Sequence, residues 1–337
     1  MSDESDDTTR KEELVITPGG TRPKDRVHLV RPGEAVYVDE SGNARIIPRE
    51  QGGGTVNMAE DMVLTPGGYR PRSLVHLIEP GHVLDGTGGR HQKLDPSGRA
   101  VADFGLIPTR PGNEPLMPRN VTIPPREGAT LGSGWIVDAH WNNTTGSPIS
   151  SFTTAWVVPP APVTQSGQLI YLFNGIENST MIYQPVLQWG SSPAGGGNYW
   201  GVANWYVDGA GGPAFHDQLI PVNPGDTVVG VMTLTGQSGS SFSYYCQFQG
   251  IANSGLPIQN VQELTWCIQT LEAYGITQCS DYPNTTGTAF GEISIQTGSS
   301  TPTLNWTPVI SVTDCGQHVV VVSNSNPGGQ VDIYYGM

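Results

Sequence analysis

At 337 residues the chain has room for one large core or two domains. A formal net charge of −14 argues against nucleic acid, whose phosphates need a basic surface, and no apolar run reaches the roughly 18 residues of a membrane helix. Forty-four glycines and 28 prolines predict many turns and few long helices, while eight tryptophans and twelve tyrosines are enough to build a core.

The chain opens Met-Ser-Asp-Glu-Ser-Asp-Asp, with neither the basic nor the apolar part of a signal peptide. Residues 1–14 are charged and polar and are expected to be a disordered tail. Residues 15–105 contain an internal repeat. Ile16-Thr-Pro-Gly-Gly-Thr-Arg-Pro23 recurs 48 positions later as Leu64-Thr-Pro-Gly-Gly-Tyr-Arg-Pro71. Each copy leads into a similar segment, Val27-His-Leu-Val-Arg-Pro-Gly33 and Val75-His-Leu-Ile-Glu-Pro-Gly81. Pro-Gly-Gly marks a turn and Val-His-Leu a short strand, so the region reads as a duplicated small β-unit, a candidate propeptide or attachment region. His28 and His76 occupy equivalent places and are expected to face solvent, with a paired metal or pH-sensing role as the alternative. Residues 106–130 are rich in Pro, Gly and Arg and read as an extended linker.

All 16 lysines and arginines lie before residue 127. From Glu127 to Met337 there are 12 carboxylates, three histidines and no strong base. Such a domain has almost no ion pairs to lose in acid and gains little positive charge there, which predicts work or survival at low pH. Within residues 131–337, short apolar or alternating runs are separated by Gly, Asn, Ser and Pro, as in Ser151–Val158, Gln168–Phe173, Tyr199–Val207 and Ser241–Phe248. This spacing predicts an all-β fold, an antiparallel sandwich of the jelly-roll or concanavalin-like kind. Residues 260–272 are the nearest approach to a helix. Cys246, Cys267, Cys279 and Cys315 fit no zinc spacing. Cys267 and Cys279 are close enough in sequence to close a short loop, but free thiols and all three pairings stay open. No cofactor or metal is expected, and no common hydrolase motif is present. Among the few carboxylates, Glu177, Asp208, Glu263, Glu272 and Asp281 stand beside aromatics or amides, where a carboxyl's pKa rises.

The order of segments over residues 133–337 resembles that of the glutamic peptidases, or eqolisins. Ser151-Phe-Thr-Thr-Ala-Trp-Val-Val-Pro159 is similar to the family's opening strand. Asn174-Gly-Ile-Glu177 with Pro185-Val-Leu-Gln-Trp-Gly190 is similar to its Gly-Ile-Asp-Gly…Leu-Gln-x-Gly block. Asn204-Trp-Tyr-Val-Asp208, Val222–Val228 and Leu271-Glu-Ala-Tyr-Gly-Ile276 follow in the family's order. The resemblance implies a sandwich of two antiparallel sheets and an acid endopeptidase with Gln188 and Glu272 as its catalytic pair. Glu272 would take a proton from the attacking water and return it to the leaving nitrogen; Gln188 would orient the water and donate to the oxyanion. Trp156, Glu177, Trp189, Trp205, Tyr206 and Tyr274 are the candidates to line the substrate cleft, and a protein or peptide is the implied substrate. An extracellular location and a propeptide follow from the same resemblance.

The chain departs from the family at Asn204, where the family has Glu, at Glu177-Asn178, at Ala273 and near Thr277. A non-catalytic sandwich that binds glycans or a protein surface is therefore the alternative, and an acid-tolerant structural surface protein a third reading. The N-terminal region, which carries all 16 strong bases against 18 carboxylates, is expected to cover the acidic domain at neutral pH, its arginines pairing with carboxylates that acid would neutralise.

Overall fold

The computed structural model describes residues 14–17, 20–23, 34–38, 44–48, 62–110, 114–116 and 131–336. Contacts divide the chain into two compact units, Met1–Asn57 and Met58–Met337. Among the described residues there is no α-helix, and the regular elements are strands and short 3₁₀ turns. The first unit holds two hairpins, Leu14–Thr17 with Gly20–Pro23 and Glu34–Val38 with Ala44–Pro48. The expected tail and the Val27-His-Leu segment with His28 fall outside the described residues.

The second unit is built on two sheets. The strands used below are β1 (Gly134–Asn142), β2 (Leu169–Glu177), β3 (Met181–Ser192), β4 (Gly195–Asp208) and β5 (Trp266–Tyr274). One sheet runs Thr307–Ile310, β1, β5, β2, β3, β4, Ala214–His216, Val75–Leu77. The other is centred on Ser241–Phe248, Thr227–Ser238, Ile149–Val157 and Gly287–Thr297. The second copy of the repeat joins both sheets. Val75–Leu77 pairs parallel with Ala214–His216, and Val83–Asp85 pairs parallel with Leu256–Val261. The 260–272 stretch is not helical: it ends one strand and begins β5. Its β-branched and aromatic residues favour pairing with β1 and β2 over an isolated helix.

Period-two alternation decides which side chains enter the inter-sheet core. Ser241–Phe248 alternates half-buried and buried at every residue. The core between the sheets gathers Phe152, Trp156, Leu172, Leu187, Trp189, Trp200, Tyr206 and Phe248. The strand β2 breaks the alternation because all nine of its residues are buried. Its second face, with Leu169, Tyr171 and Phe173, packs into a separate apolar cluster that includes Trp135, Val186, Trp205, Val207 and Tyr274. That face is covered by chain from the N-terminal region, and the candidate site lies under the cover.

The cysteines resolve as one bond, Cys279–Cys315, with Cys246 and Cys267 buried and free. The short loop between Cys267 and Cys279 is therefore not the one that closes. Cys267 is an interior residue of β5 facing the core, where its sulfur has no path to Cys279 beyond the strand end.

Candidate active site

Gln188 and Glu272 lie on β3 and β5, the two neighbours of β2, and both are in register with Tyr171. Residues in register across a sheet project to the same face, so the two side chains share the covered face at a backbone separation of about 10 Å, twice the strand spacing. Trp135 on β1 stands opposite Glu272 on its other side.

Glu272 is fully buried. Its Oε1 accepts a hydrogen bond from the Gly67 backbone N–H at 2.8 Å and a short one from the Tyr274 hydroxyl. Its Oε2 has no hydrogen-bond partner among the described residues. Burial raises its pKa from 4.5 to about 7, against the opposing pull of the Tyr274 hydroxyl, the Gly67 N–H and the Arg70 charge. The buried side chain is thus a proton-exchanging group near neutrality, whose anion Tyr274, Gly67, Arg70 and Trp135 favour.

Gln188 is equally buried but engaged locally. Its amide nitrogen donates to the carbonyls of Gly190 at 2.8 Å and Gly195 at 3.0 Å, and its oxygen accepts from the Ser192 hydroxyl at 2.8 Å. The glycine-rich tip joining β3 to β4 therefore folds over it. A Cβ at Gly196, where φ is +106°, would stand 2.6 Å from the Gln188 nitrogen. Only glycine permits this latch. In this state neither amide hydrogen points to a reacting group.

The cover over Glu272 is the hairpin formed by Met62–Thr65 and Gly68–Pro71. Gly67, at the tip, has φ +84° and lies against Val207. Thr65 accepts from Arg70 Nε at 2.7 Å and donates to the carbonyls of Pro66 and Gly68, which stiffens the turn. Arg70 is wholly buried. Its Nη1 donates to the carbonyls of Asp208 and Gly212, and burial lowers its pKa to about 10 while the Asp208 charge opposes that. A second arginine, Arg110, pairs with Asp208 Oδ1 at 2.6 Å. Further along the same face, Leu116 N–H donates to Glu177 Oε1 at 3.1 Å. A cleft of about 440 Å³ remains beside the hairpin, lined in part by Leu64, Tyr69, Leu169, Ser192 and Tyr274.

The candidate lining residues divide between the two faces. Trp205 and Tyr274 are in the cluster on the covered face, and Glu177, on the same strand face as Tyr171, joins them. Burial pushes Glu177 well above the usual carboxylate range, with nearby Asp138 adding to it. Trp156, Trp189 and Tyr206 instead point into the inter-sheet core, and Trp156 comes from the other sheet, against Phe248 and Phe290. Asn204 also faces inward. Its amide donates to Asp217 at 2.6 Å and Ser254 at 2.9 Å and its oxygen accepts from the Cys246 thiol. His76 is not solvent-facing as expected; its ring packs on Phe104 and Phe215, with centroids 4.3 and 5.5 Å away. Among the described residues no group of three or more His, Cys, Asp or Glu is placed to hold a metal.

Sequence reasoning missed Gly67, Arg70 and Ser192 as site residues, and singled out Asp208 only as a carboxylate beside aromatics. The repeat carried part of the signal, since Thr, Pro, both glycines, Arg and the final Pro recur in both copies while Thr21 and Tyr69 differ.

No family model matches the sequence, and no curated protein matches it significantly. Solved structures do. A crystal structure of scytalido-glutamic peptidase with a peptide-based transition-state analogue matches over 61% of this chain and all of that one, at 18% identity and a TM-score of 0.41. A second, with a transition-state analogue inhibitor, has the same identity and coverage and a TM-score of 0.39. SCP-B, a member of the eqolisin family of peptidases in complex with the tripeptide Ala-Ile-His, matches at 16% identity with a TM-score of 0.37 over the same share.

Proposed function

We propose that the chain is an acid endopeptidase of the glutamic type, held closed by its own N-terminal hairpin. The observation that carries this reading is the register of Gln188 and Glu272 with Tyr171 on one sheet face, with a backbone N–H of another segment bonded to Glu272.

The chemistry follows from the groups present. Release of the hairpin lets water back to Glu272 and removes the burial that raises its pKa, so that Oε2 of the ionised carboxylate accepts a proton as water attacks the substrate carbonyl, and the resulting acid delivers it to the leaving nitrogen. Tyr274 donates to the ionised carboxylate before the first step and again after the second. Gln188, once the glycine-rich tip opens, turns its N–H donors toward the developing oxyanion, where a preorganised donor is worth about 3 kcal/mol. Catalysis thus needs two releases: the 62–71 hairpin from Glu272 and the 190–196 tip from Gln188. The N-terminal cover is held by Arg70 on two carbonyls, by Arg110 on Asp208 and by the Gly67 N–H on Glu272.

The test is cleavage of a denatured protein by the full chain across the acid range. Wild type is expected to cleave, and Glu272→Gln and Gln188→Ala each to lose at least about a hundredfold in rate. Cleavage unchanged by either substitution, or no cleavage by chain shown to be folded, removes the reading. The second outcome favours the sandwich as a binder of glycans or proteins.

A further inference from the structure

We propose that the cavity beneath the turn at residues 86–89 binds the end of a neutral oligosaccharide, with Nε2 of His91 accepting a hydrogen bond from a sugar hydroxyl. The site is separate from the peptidase reading and does not depend on it. Asn178, on the cavity wall, lies just past the end of β2, about 20 Å along that strand from the level of Tyr171 and Glu272.

The cavity has a volume of about 300 Å³, at the small end of the range for ligand pockets. The second repeat copy supplies Gly86, Gly89 and His91 to its wall, and the sandwich supplies Met181, Tyr206 and Val261. His91 is buried, at 5% exposure. Its ring stacks on Phe215, with centroids 5.9 Å apart and planes at 13°, and lies 6.1 Å from the ring of Tyr206. Nδ1 stands 3.2 Å from the Gly89 carbonyl, which can only accept, so Nδ1 carries the proton. Burial lowers the pKa of the ring, against the Gly89 bond and the charges of Asp85 and Asp208. The ring is therefore neutral at neutral pH, with a lone pair on Nε2. That nitrogen has no hydrogen-bond partner among the described residues. It faces Gly86, where an added Cβ would stand 3.3 Å from it and 2.9 Å from Val261, so glycine keeps the space clear. A buried acceptor with no donor from the chain calls for one from outside it.

The walls define what carries that donor. Among the described residues no Asp, Glu, Lys or Arg lines the cavity, in a chain with 30 carboxylates, so the ligand is uncharged. Ile107, Met181 and Val261 give an apolar side, while Ser240, Ser241 and Gln262 bring hydroxyls and an amide. A sugar ring has the same two aspects, a C–H face and a hydroxyl edge. The walls are fixed before any ligand arrives. Asp85 Oδ1 accepts from Asn260 Nδ2 at 2.7 Å, from Gln259 Nε2 at 3.1 Å and from the Thr87 hydroxyl at 3.1 Å, which ties the turn to the strand Leu256–Val261. A second, more open cavity of about 640 Å³ shares Asn178, Ser240 and Gln262 with the first. The inner space takes one sugar ring, and the shared wall lets further units follow into the outer space. Because the repeat and the sandwich both form the inner wall, a bound saccharide also stabilises their contact.

The experiment is a titration of the full chain at neutral pH with maltotriose, cellotriose and diacetylchitobiose, followed by calorimetry and by the nitrogen NMR resonance of His91 Nε2. Glycerol is the control polyol without a ring. Saturable binding of at least one saccharide is expected, with a melting temperature that rises with its concentration and a shift of the Nε2 resonance as the lone pair is engaged. His91→Phe keeps an aromatic ring against Phe215 and removes the acceptor, and it should weaken binding about tenfold. If His91→Phe does not fold, Gln262→Ala, at an exposed position, takes its place and should weaken binding several-fold. No saturable binding by any of the three, or equal affinity in wild type and variant, overturns the site and leaves water as the partner of Nε2. Glycerol binding as tightly as the saccharides overturns the assignment to a sugar. Glu272→Gln should bind as wild type does, so a failure of the peptidase reading leaves this result standing.

Discussion

Glu272 couples the site to pH in a direction opposite to simple acid release. Its folded pKa is raised, so its titration stabilises the fold fully below the ordinary value of 4.5, and that stabilisation is lost as pH rises through about 7. Over that interval, at about 1.4 kcal/mol per pH unit, the change is roughly 3 kcal/mol. Thermal melts should therefore show stability falling between these two pH values in wild type and a flatter profile in Glu272→Gln; identical slopes would contradict the assignment. Tyr274→Phe removes a donor that favours the anion, and the midpoint of the Glu272 carboxyl, followed by its infrared band, should move above that of wild type. At Gly67 a Cβ is unwelcome, because the residue has φ +84° and an added Cβ would stand 3.2 Å from Val207. Gly67→Ala should weaken the hairpin's hold by about 1–2 kcal/mol, the usual penalty for a left-handed non-glycine residue.

At the scale of elements, the two strands that carry the pair differ in how they were readable. The apolar run Gln168-Leu-Ile-Tyr-Leu-Phe173 has no polar alternation, a pattern that belongs to a strand buried on both faces. Its second face needs a cover, and the hairpin supplies it. The ordered blocks of Trp-Val-Val-Pro, Leu-Gln-Trp-Gly and Leu-Glu-Ala-Tyr made the sandwich and the Gln188–Glu272 register legible. What stayed hidden depends on facing direction and long-range docking. Trp189 and Trp205 look alike in sequence, yet Trp189 faces the core while Trp205 faces the groove, because each strand's register sets its parity. Likewise nothing local in Leu64–Pro71 announces that its tip meets a residue 205 positions away. The Cys279–Cys315 bond, across 36 residues, ties the loop after β5 to the segment before His318–Ser323. By loop-closure entropy it contributes about 4 kcal/mol, so Cys279→Ser should lower the melting temperature clearly, while Cys246→Ser, a single buried thiol bonded to Asn204, should act through local packing only.

At the scale of the whole molecule, the described carboxyls with shifted pKa values fall into two groups with opposite pH behaviour. Within the sandwich, burial raises Glu272, Glu177, Asp138 and Asp217, the last to about 6. Each of these stabilises the fold at acid pH and loses that contribution as pH rises through its folded value. In the second repeat copy, Glu79, Asp85, Asp95 and Asp103 are lowered, chiefly by side-chain and backbone hydrogen bonds that outweigh desolvation. Their contribution is present above their ordinary values near 4 and is lost as pH falls below them. Asp281 is the exception within the sandwich, lowered by Thr164, Thr277 and Ser166. Strong acid should thus loosen residues 79–110 while the sandwich holds. Hydrogen exchange below about pH 4 should show falling protection in the first region and none in β2 or β5; parallel loss in both would contradict this division. The most direct test of a glutamic site shut by its own hairpin is the initial rate of cleavage of a denatured protein in acid, measured for wild type, Gly67→Ala and Gly67→Ala/Glu272→Gln. The account predicts that Gly67→Ala is faster than wild type by about tenfold, matching the loss of about 1.4 kcal/mol of hold, and that the double variant is inactive. Equal rates for wild type and Gly67→Ala, or activity that survives Glu272→Gln, would contradict it.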